Sequence, residues 1–241
     1  MTLDGTNTYV LVSADDTSAL LIDPGPELAE HREAFLAAIG DRELRAIVLT
    51  HQHADHSEML GSIGSWAPEV PVHAVLERFA RHTALVEHGD RIAFGSAPED
   101  AVEVVATPGH TADSISLLHG TTLYSGDTVL GHGTTVVTHP EGSLRDYLDS
   151  IAALRGLVDD GRVEVIEPAH GPTIEDPAAV LAYYASHRQE RIDQVRAALE
   201  SGASTAEEVR DIVYSDVPDN VRGAALQIVR AQLEYLDHPP T

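Results

Sequence analysis

The sequence predicts an α+β fold in which two packed sheets are flanked by helices. Short apolar runs typical of strands alternate with helical patterns along the chain. Side chains that can bind a metal follow strand-like runs in both halves of the sequence. With 241 residues, 43% of them hydrophobic, the chain is long enough to bury a large core as one main domain.

The elements are assigned from periodicity and from the residues that end each run. Strands are predicted where short apolar runs end at turn-forming residues, at 8–12, 19–22, 46–49, 72–75, 102–106, 114–118, 122–124 and 163–166. Helices are predicted where apolar residues recur every three or four positions, at 30–38, 57–66, 144–157, 177–199, 205–213 and 220–236. Ser143 is the expected N-cap of the third helix.

A cluster of imidazoles and one carboxylate follows the apolar run at 46–49. In an extended loop, His51 and His53 can lean toward one side and offer neutral ring nitrogens to a single ion. Asp55 and His56, one turn later, point elsewhere and suit a second ion. This spacing indicates a metal site on the loop that follows a buried strand.

Three further candidate ligands stand in similar contexts. His110, Asp127 and His170 each follow a strand-like run and lie in a turn that contains Gly or Pro. Gly lets the backbone approach closely, and Pro ends the strand. Either histidine alone is more often a loop residue than a ligand, but together with the first cluster they predict a complete metal centre.

The order and wording of these motifs resemble the metallo-β-lactamase superfamily of metallohydrolases over nearly the whole chain. The resemblance implies a four-layer αββα sandwich with a two-metal site at the shared edge of its sheets. By matching position, Asp127 would bridge the ions, and Asp23 would orient a ligand histidine. It assigns His51, His53 and His110 to the first ion, and Asp55, His56 and His170 to the second.

A narrower likeness is to the β-lactamase-like protein 2 branch, which contains an endoribonuclease. It rests on the segments 126–131, 133–136, 168–172 and 184–188. Since the chain has no cysteine, lactamases that place a cysteine on the second metal are excluded.

The same likeness implies two parts, a catalytic domain at 1–175 and a C-terminal helical, winged-helix-like module at 176–241. The chain stops before a wing could form, so the module is expected to be incomplete. It starts without the strand that usually precedes the segment at 4–9, so either the natural N-terminus lies upstream or the start is abbreviated. With Arg210, Arg222 and Arg230 among many acids, a nucleic-acid-reading helix is not expected. Packing, a homodimer contact or a wall of the substrate groove is the expected role of this module.

The charge balance limits the partners. The chain has 39 acidic residues against 15 basic ones, no Lys, and a net charge of −24, so it should repel polyanions and form no stable complex with duplex nucleic acid. No apolar run approaches the roughly 20 residues that span a bilayer, so no membrane insertion is expected. The start lacks a basic and apolar secretory signal, which predicts a cytoplasmic location.

The implied mechanism is hydrolysis by a hydroxide bridging two divalent ions. The nitrogen-rich ligand set favours Zn²⁺, with Fe or Mn as alternatives. Asp55 is the candidate catalytic residue, because it could orient the nucleophile or accept its proton. Loops at 87–90 and 131–139 are expected to form the pocket walls, with His132 and Thr134 as lining residues, and His187 is expected to make a buried structural hydrogen bond.

Three functions remain open from the sequence. The first is a dinuclear phosphodiesterase, with an endoribonuclease acting on single-stranded RNA as one form of it. The expected substrate is a small molecule or a short oligonucleotide. The second is a thioester hydrolase of the glyoxalase II type, which shares the ligand set. The third, disfavoured by the complete ligand set, is a non-catalytic binding scaffold.

Overall fold

The first half of the chain forms a four-stranded sheet in the order β1-β2-β3-β4, in a computed structural model that describes residues 5–237. β1 pairs antiparallel with β2, and β2, β3 and β4 run parallel. The strands are Tyr9–Val12, Ser18–Ile22, Glu43–Val48 and Val72–His73. The sheet therefore delivers the carboxyl ends of its three parallel strands to a single edge.

The second sheet has five strands in the order β5-β6-β7-β8-β9. Its pairs are antiparallel except for β8 and β9, which run parallel. The strands are Arg91–Ala93, Ala101–Ala106, Ile115–His119, Thr122–Gly126 and Val165–Pro168. The edge strand β5 was not predicted, because only Ile92 of its three residues is buried and so little hydrophobic pattern marks it.

The core lies in three layers, which follow from the alternation of side chains along the strands. In β2, Leu20 and Ile22 face the second sheet, in a cluster with Val104 and Leu117. The intervening residues of β2 pack outward against Phe35 and other apolar residues of the first helices. A third cluster covers the outer face of the second sheet. This is the predicted four-layer αββα sandwich.

Residues 5–237 contain six α-helices. They are α1 Ala29–Ile39, α2 Ala54–Ser57, α3 Leu144–Asp159, α4 Pro177–Glu200, α5 Ala206–Val213 and α6 Arg222–Asp237. The single helix predicted at 57–66 is wrong, since α2 ends at Ser57 and a 3₁₀ helix, Glu58–Ser65, continues. Gly61 and Gly64 within that segment weaken an α-helix. The predicted N-cap at Ser143 is confirmed, because its hydroxyl accepts the N–H of Asp146.

The C-terminal helices pack on the second sheet and on one another. Leu181, Tyr184 and Ile192 of α4 share a core with Leu123 and Ile166 of the sheet. Val195, Val209 and Val229 form a small core among α4, α5 and α6. The division at 175/176 stays a prediction, and the expected abbreviations at residues 1–4 and 238–241 lie outside the described residues. Within residues 5–237, no helix has the length and apolar character to cross a membrane.

Candidate metal centre

The seven candidate ligands meet at one edge of the sandwich, where strands of both sheets end. The loop after β3 carries four of them, and the others follow β6, β8 and β9. Gly126, at a φ of 51°, ends β8 so close to Thr50 that a Cβ there would lie 2.8 Å from the Thr50 hydroxyl oxygen. The glycine therefore lets the two sheets approach closely beside the site.

The first set of side chains is His51, His53, His110 and Asp127. Nδ1 of His53 lies 3.0 Å from Nε2 of His51 and 3.0 Å from Nε2 of His110. A carboxylate oxygen, Oδ2 of Asp127, lies 3.5 Å from Nε2 of His110 and 4.0 Å from Nε2 of His51. Four potential metal-ligand atoms, three nitrogens and one oxygen, therefore converge on one small volume.

The second set is Asp55, His56 and His170. Oδ2 of Asp55 lies 3.5 Å from Nε2 of His170 and 3.9 Å from Nε2 of His56. Both histidines are buried, while the Asp55 side chain is 28% exposed and faces the solvent side of the site. In each set the potential ligand atoms lie within 4.8 Å of one another.

Asp127 connects the two sets. While its Oδ2 faces His110, its Oδ1 lies 3.3 Å from Nε2 of His170 and 3.4 Å from Nε2 of His56. Oδ1 of Asp127 and Nε2 of His56 are buried, and neither has a hydrogen-bond partner among the described residues. Each oxygen of one carboxylate thus faces a different group of histidines.

Contacts behind the rings determine which nitrogen each histidine presents. Nδ1 of His110 donates to the carbonyl of Val136 at 2.7 Å, and Nδ1 of His170 donates to the carbonyl of Gly5 at 2.8 Å. Because a carbonyl can only accept, both rings carry their proton on Nδ1 and offer a free Nε2 to the centre.

The predicted contact of Asp23 with one of these histidines is confirmed. Oδ2 of Asp23 lies 2.8 Å from Nδ1 of His56, and its carboxylate also accepts from the backbone and hydroxyl of Thr50. Asp23 has a φ of 49°, a left-handed conformation that is uncommon outside glycine. This backbone turn directs the carboxylate beneath the loop that carries His56.

A second outer contact was not predicted. Nε2 of His53 lies 3.4 Å from the carboxylate of Glu141, which in turn accepts a hydrogen bond from Gln52. Arg78 donates to the same Gln52 side chain. No local motif indicates this chain of contacts, because Glu141 lies in a distant loop before α3.

The electrostatics of the cluster are uneven. Burial lowers the pKa of His51 and of His110. Burial also opposes the charged form of His56, but the carboxylates of Asp23 and Asp127 outweigh it and raise its pKa to about 10. Burial opposes the charged form of Asp127 as well, yet the neighbouring imidazoles of His170 and His56 hold its pKa well below the usual range. Asp127 is therefore an anion that requires positive partners.

Two cavities border the cluster and share Asp55. One, of about 450 Å³, is lined by Leu130, Val136 and the predicted residues His132 and Thr134. The other, of about 490 Å³, is lined by Pro26, Leu28, His31 and Glu58 among others. The expectation for 131–139 is confirmed by residues 132–136 and 138 in the first wall. The expectation for 87–90 is wrong, because this segment lines neither cavity. It forms a turn in which the Asp90 N–H donates to the Glu87 carbonyl and the Gly89 N–H donates to the Val104 carbonyl. Among the described residues, no arginine lines either cavity.

Another cavity, of about 550 Å³, lies at the opposite end of the strands. Its Arg162 is held by both carboxylate oxygens of Glu103 at 2.9 Å, and Arg91 donates to the carbonyl of Pro98. Because these polar groups satisfy one another, this cavity shows no sign of a ligand site.

The fold and the clustered His and Asp side chains define a metal-dependent hydrolase. A family model described as the metallo-beta-lactamase superfamily matches residues 1–163, and the chain belongs to that superfamily. Members of this superfamily are generally metal-dependent hydrolases, so the predicted enzyme class is confirmed.

Relatives and solved structures agree with this assignment. The chain is 33% identical to a beta-lactamase-like protein 2 homolog of Caenorhabditis elegans, over 98% of this chain and 79% of the relative. It is 30% identical to an atrochrysone carboxyl ACP thioesterase of Aspergillus chevalieri, over 93% of this chain and 73% of the relative. A beta-lactamase domain protein from Burkholderia ambifaria superposes with a TM-score of 0.82 at 20% identity, covering 99% and 83% of the two chains, which shows the shared fold.

Proposed function

We propose that this chain is a dinuclear metal-dependent hydrolase. The observation that carries the proposal is the position of Asp127, whose two oxygens face two separate groups of histidines. A carboxylate placed in this way suits a bridge between two cations a few ångströms apart. His51, His53 and His110 would complete the first site, and Asp55, His56 and His170 the second.

The residues present fit cations well. An N–H on Nδ1 of His53 cannot point at both neighbouring ring nitrogens, so without a cation some ring lone pairs face one another. The unpartnered Oδ1 of Asp127 also lacks the positive partner that a bound ion would supply. The nitrogen-rich donor set supports Zn²⁺, and Fe or Mn remain alternatives.

The mechanism uses the chain's own groups around that centre. When bound, two divalent ions would lower the pKa of a water molecule and polarise the carbonyl or phosphoryl oxygen of the group that is attacked. Asp55 borders both cavities and accepts a hydrogen bond from the Thr6 hydroxyl at 3.3 Å. Its carboxylate can orient the attacking water and accept a proton from it.

The cavity walls favour an uncharged acyl substrate. Leu130 and Val136 supply an apolar wall on one side, and Pro26 and Leu28 supply one on the other. A polynucleotide places further phosphates beside the one that reacts, and such phosphates require cationic partners that these walls lack. We therefore propose thioester or ester hydrolysis first, in keeping with the likeness to a thioesterase.

Phosphodiester hydrolysis is the second candidate. It was the first choice from the sequence, and the 33% identity to a beta-lactamase-like protein 2 homolog supports it. A small diester with one phosphate would need no cation beyond the two ions. A cytoplasmic location and a homodimer also stay predictions from the sequence.

Metal analysis and a substrate panel test the proposal. Protein purified without chelator is analysed for metal and assayed with an acyl-pantetheine, the same acyl group on coenzyme A, bis(p-nitrophenyl) phosphate and a short RNA. We expect about two ions per chain and preferred turnover of the neutral acyl-pantetheine, abolished in Asp127→Ala. Asp193→Ala, on the exposed face of α4, is the matched control.

Each outcome decides between the candidates. Turnover of the diester or RNA without thioester turnover would replace the first candidate with the second. Two ions without any turnover would contradict a hydrolase acting on these substrates, and protein without metal after addition of Zn²⁺ would contradict the dinuclear centre itself.

A further inference from the structure

The segment 127–138, here called the Asp127 loop, controls two residues of the first set. It begins with Asp127, and its Val136 carbonyl accepts the Nδ1 proton of His110 at 2.7 Å. The hydroxyl of Thr135 donates to the carbonyl of Asp127 at 2.7 Å, which closes the loop on itself. Any shift of this loop would therefore move both a carboxylate and an imidazole of the candidate centre.

Two tyrosines anchor the start of the loop from outside. Tyr147 of α3 donates its hydroxyl proton to the carbonyl of Thr128 at 2.8 Å. Tyr184 of α4 accepts the backbone N–H of Leu130 at 2.8 Å. Both rings are buried, so these contacts are shielded from water.

Arg188 anchors the other end of the loop. Its Nη2 donates to the carbonyl of Thr135, next to the Val136 carbonyl that holds His110. Its guanidinium carbon lies 4.9 Å from the centre of the Tyr147 ring. The side chain belongs to α4, in the region predicted from sequence to be a separate C-terminal module.

The environment of Arg188 is unusual for a cation. Only 5% of the residue is exposed, its Nε has no hydrogen-bond partner, and it forms no ion pair with any carboxylate within residues 5–237. Burying an unpaired charge is costly, and an aliphatic side chain would fill the space without that cost. Packing of α4 alone therefore does not account for an arginine here.

We propose that Arg188 is a positioning residue for the metal centre, acting through Thr135 and Val136 on His110 and Asp127. The inference rests on the proposed function in so far as these side chains hold metal. The helix α4 would then set the metal affinity of the first site and the shape of the cavity wall at Val136.

A set of variants separates positioning from stability. Arg188→Met removes the donor at similar length, Arg188→Lys keeps one donor without the planar stack, and Arg196→Met, exposed on the same helix, is the control. Zn²⁺ affinity is measured by competition with a chromophoric chelator, and unfolding of the metal-free protein is followed separately.

We expect Arg188→Met to weaken binding of one Zn²⁺ on the order of 10- to 100-fold, as loss of an orienting contact does in other zinc sites. Its metal-free protein should unfold at nearly the wild-type temperature, because removal of a buried charge that has no carboxylate partner offsets the loss of its contacts with Thr135 and Tyr147. The Zn²⁺ affinity of Arg188→Lys should lie between those of Arg188→Met and the wild type, and the affinity of Arg196→Met should match that of the wild type. Unchanged affinity, or a loss explained by an equal fall in metal-free stability, would overturn the proposal.

Hydrogen exchange of metal-free protein provides a second test that does not depend on metal binding. Arg188→Met should speed exchange of amides in 127–138, while amides in the middle of α3 keep their protection. If the loop amides of Arg188→Met and of the wild type exchange at equal rates, the proposal is overturned, whether or not the wild type binds metal. Failure of the wild type to bind metal, by itself, would contradict only the proposed dinuclear centre.

Discussion

Oδ2 of Asp23 lies 2.8 Å from Nδ1 of His56, and both side chains are almost completely buried. The same carboxylate accepts the N–H and the hydroxyl of Thr50. One acid at the end of β2 therefore holds both the start and the second half of the loop that carries four candidate ligands.

Replacing Asp23 should loosen the second site. In the native protein, Nδ1 of His56 and the N–H of Thr50 both donate to the Asp23 carboxylate. In Asp23→Asn, the amide NH₂ would face one of these donors, and that hydrogen bond would be lost. We expect the weaker of the two Zn²⁺ affinities to fall on the order of 10- to 100-fold in a chelator competition assay. Asp41→Asn, on an exposed turn, is the control, and equal affinities for the two variants would contradict this role of Asp23.

Metal binding should release protons. Because its pKa is raised to about 10, His56 is protonated in the metal-free protein at pH 7 and must lose that proton to bind a cation. Affinity should therefore weaken as the pH falls below 10. Calorimetric titrations with Zn²⁺ at pH 7 in two buffers of different ionisation enthalpy measure the released protons, and release close to zero would refute the assignment.

The same group should make the metal-free protein sensitive to alkaline pH. A folded-state pKa raised from 6.5 stabilises the fold fully below pH 6.5, and this contribution is lost as the pH rises through about 10. Thermal unfolding should show lower stability at pH 10 than at pH 7 without metal. An Asp23→Asn variant should show a smaller difference, since it lacks the main carboxylate partner.

Glu141 should matter less than Asp23. Its carboxylate lies 3.4 Å from Nε2 of His53, but the acid side chain is 41% exposed, so water can replace the contact. We expect Glu141→Gln to weaken one Zn²⁺ affinity by less than about tenfold. Glu69→Gln, an exposed acid away from the site, is the control, and an effect as large as that of Asp23→Asn would show that exposure does not govern these contacts.

Gly109 is a backbone position that tolerates no side chain. Its φ is 131°, and a Cβ would lie 2.3 Å from the Cα of Tyr147 in α3. Gly109→Ala should lower the free energy of unfolding by more than about 2 kcal/mol, from strain and displacement of α3. Gly156→Ala in the same helix meets no atom within 4 Å and should stabilise by about 0.5–1 kcal/mol. Denaturant unfolding measures the free energy of unfolding of both variants. Similar free energies for Gly109→Ala and Gly156→Ala would contradict this prediction.

Local sequence information accounts for much of the site. The loop residues His51, His53, Asp55 and His56 lie close together in the chain, and the others each follow a strand. Because strand ends of both sheets meet at one edge, this pattern and the resemblance to the superfamily together predicted that all seven would converge. Asp23 was predicted instead by the resemblance to the superfamily, from its matching position after a buried strand.

Contacts between distant segments account for what pattern did not predict. Glu141 and Gln52, or Arg188 and Thr135, become neighbours only when loops and helices pack, and no spacing in the chain signals this. The prediction that His187 makes a buried hydrogen bond is wrong, since its Nδ1 is buried without a partner among the described residues. Its ring lies beside Tyr183 instead.

The wide spread of the candidate ligands along the chain has a consequence for biosynthesis. During translation, the loop with His51 emerges long before His170 and the parallel pairing of β8 with β9. The nascent chain would therefore expose unassembled imidazoles until the second sheet and α4 have docked. A cation that binds only the native state stabilises that state by mass action. Metal would therefore act late in folding, by stabilising chains whose distant segments have already come together.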